Sequence, residues 1–164
     1  MVNGQNDNRM YLGPSGHVIV AYSDLNARIR NVKDIVDKEM GFAEDEPPPN
    51  LRYFVAVNEK GRGVGMVTAH RVDEAHRMIG YENGSLLIRD NKVEKVKLGI
   101  HQMWTHRRSR GLGVCTALID KARETMVYGE EVGRGETAFS SPTGDGVKMA
   151  RKYARGGNVM VYDC

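Results

Sequence analysis

The sequence predicts an α/β layer fold, and three observations carry that prediction. Short apolar runs rich in β-branched residues recur along the chain, among them HVIVAYS, YFVAV, VGMVTAH and NVMVYD. Segments with apolar residues at helical spacing alternate with these runs. The 164 residues suit a single core, and no apolar run approaches the ~20 residues a membrane span needs.

Taken in order, residues 1–16 are polar and read as a flexible N-terminal segment, with one domain over residues 17–164. HVIVAYS, His17–Ser23, is a strand. Asp24 or Asn26 caps the helix that follows, in which Ile29, Val32, Val36 and Met40 share a face and Gly41 suits the stop. The tract AEDEPPPN is a loop, because its prolines lack the N–H a helix needs. YFVAV and VGMVTAH flank NEKGRG as a β-hairpin. Residues 71–95 read as an irregular insertion with SLLI as a short extra strand.

VKLGIHQMW is a strand in which Gly99 marks a bulge or a close approach by another group. From Gly113 to Val127, the residues Val114, Leu118, Ile119, Ala122 and Met126 form one helix face. ETAFS is a strand, DGVKMARKYA a helix capped by Asp145, and NVMVYD a closing strand. The order is β-α-β-β-β-α-β-α-β.

Composition narrows the function classes. Hydrophobic content of 40% and charged content of 27% are those of a soluble globular chain. The start, MVNGQNDNRMYLG, lacks the basic flank and apolar core of a secretory signal. Cys115 and Cys164 allow at most one disulfide and form no C-x-x-C pair, which favours a reducing intracellular compartment and implies no metal. A net charge of +3 permits an anionic ligand without announcing a nucleic-acid binder.

The stretch RSRGLGVCTALIDKAR, Arg108–Arg123, places arginines and glycines at the mouth of a helix. A first helical turn has unpaired N–H groups and a partial positive charge, so it attracts phosphate. Glycine lets the anion approach the backbone, and Arg107, Arg108 and Arg110 add charge-assisted contacts. A P-loop would need Lys-Ser/Thr after its second glycine, and a dinucleotide fingerprint would need glycine where Thr116 stands. The pattern Q/R-x-x-G-x-G/A fits instead, filled by Arg110, Gly113 and Cys115. It resembles the coenzyme-A pyrophosphate loop of the GNAT acetyltransferase superfamily. That resemblance implies a GNAT-type mixed central sheet with flanking helices and acetyl-CoA as cofactor. Its holders would be Met103, Trp104, Arg108, Arg110, Gly111, Leu112, Gly113, Val114, Cys115 and Thr116.

A narrower resemblance covers about residues 98–163. GIHQMW, RGLGVCTALID, YGEEVGRGETAFSSPTGDG and NVMVYD occur in the order seen in the cohesin acetyltransferases, the sister-chromatid cohesion establishment family. Gly99, Ile100, Trp104, Arg110, Gly113, Asp120, Tyr128, Gly129, Phe139, Ser140, Pro142, Thr143, Asp145, Gly146, Tyr153, Val161 and Tyr162 fall on the family pattern. Five departures accompany them. There is no C2H2 spacing, Ser141 replaces an acidic residue, Cys115 replaces Ala or Gly, and His101 and Gln102 stand where Ser and Arg are usual.

The resemblance implies transfer of acetyl from acetyl-CoA to a lysine of a cohesin SMC subunit, in the nucleus and in association with chromatin, with no membrane involved. A GNAT enzyme acting on another protein or a small amine is the alternative. A third reading makes THRRSRG a nucleic-acid contact, which predicts steep salt dependence. An acceptor lysine, with pKa near ~10.4, must lose a proton before it attacks. Asp120 aligns with an acidic residue given a catalytic role in the family; the other reading is a solvated helix carboxylate near Arg123. His101 suits proton shuttling, or is structural. Tyr153 stands where GNAT enzymes put a tyrosine near the coenzyme sulfur, or is a packing aromatic. Ser141 donates a hydrogen bond but is a poor base without a partner. Asp145 and Tyr162 complete the set as acceptor-binding residues.

Overall fold

The computed structural model describes residues 9–23, 26–40, 48–82, 86–142 and 144–163. Its strands are β1 (Arg9–Leu12), β2 (Val18–Tyr22), β3 (Arg52–Val57), β4 (Gly63–His70), β5 (Glu74–Glu82), β6 (Leu86–Lys95), β7 (Leu98–Thr105), β8 (Thr137–Ser140) and β9 (Met160–Tyr162). Its helices are α1 (Ala27–Met40), α2 (Val114–Thr125) and α3 (Asp145–Ala154), giving the expected α/β fold with a mixed sheet and flanking helices. The chain divides into two compact units, Met1–Thr68 with Gln102–Lys121, and Ala69–His101 with Ala122–Cys164.

In the first unit the strands run in the order β1-β2-β3-β4. β1 and β3 both pair antiparallel with β2, so the stretch Arg9–Leu12, expected to be loose, is a strand. The reason is tertiary: β2 leaves a row of main-chain donors and acceptors that RMYL satisfies, and Lys121 Nζ sits 4.2 Å over the Tyr11 ring. The hairpin between β3 and β4 forms as expected. Asn58 and Arg62 close it through Asn58 N–H to Arg62 O at 2.9 Å, and Gly61 takes the left-handed φ of +76°. α1 is capped by Asn26, whose side-chain oxygen accepts from Ile29 N–H at 3.1 Å; Asp24 and Gly41 lie outside the described residues. Ile29 and Val36 are buried with Tyr53, Val55, Met66 and Trp104. Lys33 is buried on the same helix, its ammonium on both Asp37 oxygens at 2.8 and 2.9 Å.

The second unit carries the parallel pairs β7–β8 and β8–β9, with β5 antiparallel to β9 and β6 antiparallel to β5. Parallel neighbours require a crossover, and α3 supplies it between β8 and β9 with Val147, Ala150 and Tyr153 turned inward. Within residues 71–95, expected to be irregular, Glu74–Glu82 and Leu86–Lys95 pair antiparallel as the β5–β6 hairpin. Hydropathy conceals it because this hairpin is polar on much of its surface; pairing of His76 with Val161 and Arg77 with Met160 is what fixes it. SLLI falls into β6, except Ser85, which lies outside the described residues. On the β8 side, pairing runs in unbroken register through Gly99. The close approach is real: an added Cβ would lie 2.4 Å from Val72 Cγ2 and 2.7 Å from Tyr162 Cζ.

Candidate active site

The basic loop is tied down before it reaches the helix. His106 N–H donates to Val64 O at 2.7 Å, and a single 3₁₀ turn over Arg107–Ser109 follows. Arg108 N–H donates to His106 Nδ1 at 3.2 Å, and Arg110 Nε donates to Thr105 O at 3.2 Å. The turn ends in Gly111 and Gly113, both left-handed at φ +78° and +77°. No atom lies within 4 Å of where their Cβ atoms would be, so the backbone before α2 is an open cradle. The first amides of α2, at Val114, Cys115 and Thr116, precede the intrahelical bond from Ala117 N–H to Gly113 O. Arg108, Arg110, Gly111, Leu112 and Gly113 are exposed around them, and Cys115 and Thr116 are half-buried. This arrangement fits a pyrophosphate.

Two of the predicted cofactor residues contribute no side chain. Trp104 is buried in the core with Ile29 and Val36, and its Nε1 donates to Glu39 Oε2 at 2.6 Å. Val114 is buried against β4, where a Cβ at Gly65 would fall 2.6 Å from Val114 Cγ1. Only their main chains are available to the loop; an indole or isopropyl group that fills the core cannot also face a ligand. Met103 is half-buried on β7.

In the second unit, His101 meets His70, which the sequence reading missed. His70, the last residue of β4, shares a 2.7 Å hydrogen bond from its Nε2 with Tyr162 Oη. Its ring stands edge-on to His101 with centroids 6.0 Å apart, and all three side chains are buried. Burial, helped by the charge of His101, lowers the His70 pKa from 6.5 to about 4, so His70 is neutral at physiological pH. A histidine closing an apolar strand beside the β7 glycine was the available signal.

Ser141 has the partner it needs. Its Oγ donates to Asp163 Oδ1 at 2.7 Å, while its N–H donates to Tyr162 O at 2.9 Å. Asp163 escaped the sequence reading because only the parallel pairing of β8 and β9 brings the two strand ends together. Asp145 opens α3 as its first residue and is exposed, and the cap position belongs to Gly144, with no side-chain cap bond. The expected cap is therefore displaced by one residue: Gly144, at φ +48°, makes the turn into the helix. Thr143 lies outside the described residues.

Tyr153 belongs to a different cluster. It is buried, its hydroxyl accepts from Arg123 Nη1 at 3.0 Å, and the Arg134 guanidinium lies 4.4 Å over its ring. That environment is the packing one of the two readings. Arg123 also donates to Val132 O at 2.8 Å and pairs with Glu131, so it is committed to the same cluster. Asp120 is half-buried on α2. Among the described residues no group of three or more His, Cys, Asp or Glu side chains could hold a metal, and no helix is long and apolar enough to cross a membrane.

Residues 94–162 match the family described as ESCO1/2 acetyl-transferase. Among curated proteins, N-acetyltransferase ECO1 of Saccharomyces cerevisiae is 34% identical over 155 residues, covering 83% of this chain and 53% of that protein. N-acetyltransferase ESCO2 of Mus musculus is 29% identical over 143 residues, covering 83% of this chain and 24% of that protein. The chain thus spans about half the length of the yeast relative and about a quarter of the mouse one. In fold, it is similar to the xEco2 acetyltransferase domain solved bound to a K105-CoA conjugate, with a TM-score of 0.85 and 23% identity over 96% of this chain and 98% of the other. The same domain without that description gives 0.84. The motifs and these relatives agree: residues 94–162 match the ESCO1/2 acetyl-transferase family, and the chain as a whole resembles the cohesin acetyltransferases.

Proposed function

We propose that this chain is a lysine N-acetyltransferase that uses acetyl-CoA and modifies a cohesin SMC subunit, acting in the nucleus on chromatin-associated substrate. The observation that carries the reading is the open, doubly left-handed Gly111–Gly113 cradle leading directly into α2. What supports it further is the family match over residues 94–162, the N-acetyltransferase relatives, and a fold neighbour described as bound to a CoA conjugate.

Acetyl-CoA, when bound, supplies an acetyl group activated as a thioester. The rest is done by the chain. Arg108 and Arg110 would supply positive charge, and the main chain from Gly111 to Thr116 N–H donors, to hold an anionic pyrophosphate. His101 takes the proton from the acceptor amine, a task for which imidazole is suited near neutral pH. His70 stays neutral and fixes the Tyr162 hydroxyl through their 2.7 Å bond, which orients the polar wall facing His101. Asp145, exposed at the start of α3, and Tyr162 bind the acceptor, and Ser141 orients the neighbouring carboxylate. Asp120, half-buried on α2, is the acidic candidate for the same proton-handling role.

The test is turnover of acetyl-CoA with a lysine peptide from a cohesin SMC subunit. Acetylated peptide at a rate that depends on the cradle supports the reading. A folded, coenzyme-saturated protein that leaves such peptides unmodified would overturn it.

A further inference from the structure

The ends of β8 and β9 carry an arrangement that the proton-handling residues do not use. The two strands are parallel and in register, Ser140 opposite Tyr162, so the chain emerges from both at one place, as Ser141 and Asp163. Ser141 is a non-glycine residue at φ +23°, a costly conformation that persists only where its surroundings impose it. Its N–H and Oγ both reach across to the β9 end, to Tyr162 O and Asp163 Oδ1.

Asp163 is held a second time from the other side. Arg89 of β6 donates through Nη1 to Asp163 Oδ2 at 2.7 Å. The same hairpin reaches the loop after Ser141, where Gly144 N–H donates to Tyr81 Oη at 2.7 Å. The carboxylate is thus aimed by donors from two elements, yet its side chain remains 65% exposed. Exposed ion pairs contribute little to stability, so holding the fold does not explain such care. Each carboxylate oxygen accepts more than one hydrogen bond, which leaves room for a further donor. The Ser141 hydroxyl, ahead of the Arg89 guanidinium, keeps the acid ionised by holding its pKa below the usual carboxylate range.

We propose that Asp163 receives the ammonium group of the acceptor lysine, with Ser141 and Arg89 as positioning residues that set the direction of its carboxylate. This rests on the lysine-acetyltransferase reading above. The ligand class is a primary alkylammonium, recognised by charge-assisted N–H···O bonds.

The experiment separates binding from turnover. Nα-acetyl-lysine N-methylamide is titrated into the wild-type chain and Asp163→Asn, following the amide resonances of Ser141 and Gly144, with the norleucine analogue as the uncharged control. Loss of one charge-assisted contact predicts a ~tenfold weaker affinity for the lysine probe in Asp163→Asn and no change for norleucine. Asp163→Glu is expected to recover part of the affinity. In the peptide assay Asp163→Asn is expected to raise the peptide KM by a similar factor and leave the acetyl-CoA KM unchanged. Failure of the wild type to bind the probe, or equal affinity in Asp163→Asn, overturns the proposal; equal affinity with a lowered melting temperature makes Asp163 a tie between β9 and the hairpin. Asp163-dependent binding without acetyl transfer would retain this inference and sink the enzyme reading instead.

Discussion

His70 makes the fold sensitive to acid in a way that can be worked out from its surroundings. The unfolded chain binds a proton at this imidazole at the ordinary 6.5, whereas the folded chain, which buries it beside His101 and Tyr162, does so only at about 4. The unfolded state therefore carries more protons across that window, and stability rises with pH through it. Conversely, stability is lost as pH falls from about 6.5 towards 4, by about 3 kcal/mol in full and about 2 kcal/mol between pH 7 and pH 5. For a domain of this size the latter lowers the melting temperature by roughly 5 °C. His70→Gln keeps a polar group for Tyr162 but cannot titrate. Urea unfolding of both proteins at pH 7 and pH 5 should show the wild type losing about 2 kcal/mol more than the variant. Parallel losses in the two proteins would refute the assignment of that acid sensitivity to His70.

Three other substitutions probe the rest. Gly113→Glu places a side chain and a negative charge at a left-handed position in the cradle; coenzyme-A affinity by calorimetry should fall at least ~100-fold, and an unchanged affinity would rule the loop out as the seat. Gly65→Ala drives a methyl to 2.6 Å from Val114 Cγ1, and chemical denaturation should register a loss of about 1–3 kcal/mol. Tyr153→Phe removes the hydroxyl that accepts from Arg123; stability should fall by about 1 kcal/mol while kcat is retained, and a collapse of kcat with intact folding would restore Tyr153 to the chemistry.

How far the sequence carried depends on whether a signal is local. β2, β3 and β4, the three helices and the hairpin turn at Asn58–Arg62 were all readable, because periodicity, capping residues and turn glycines act within a few residues. The left-handed glycine turn before α2 was readable for the same reason, since glycine spacing before a helix is a local constraint. β1 and the β5–β6 hairpin were not. β1 is only four residues long and lies in a stretch that is polar before it, and β5–β6 is polar apart from SLLI, which was read as a strand; pairing with β2 and β9 is what makes the rest strands. The same limit applied to the site: His101, Ser141 and Tyr162 were nameable, but His70 and Asp163 became functional candidates only when distant strands placed them beside those residues. Trp104 is the converse case, a motif position read also as core packing, whose side chain lies in the core.

The four-residue strand at Arg9–Leu12 bears on how this chain tolerates trimming. It forms the outer margin of its sheet, shielding the amide and carbonyl groups of Val18–Tyr22 on that side. A chain cut back to Gly16 would keep every helix and every motif, yet would bare an apolar strand to its neighbours in solution. Such a protein would tend to pair with copies of itself and precipitate.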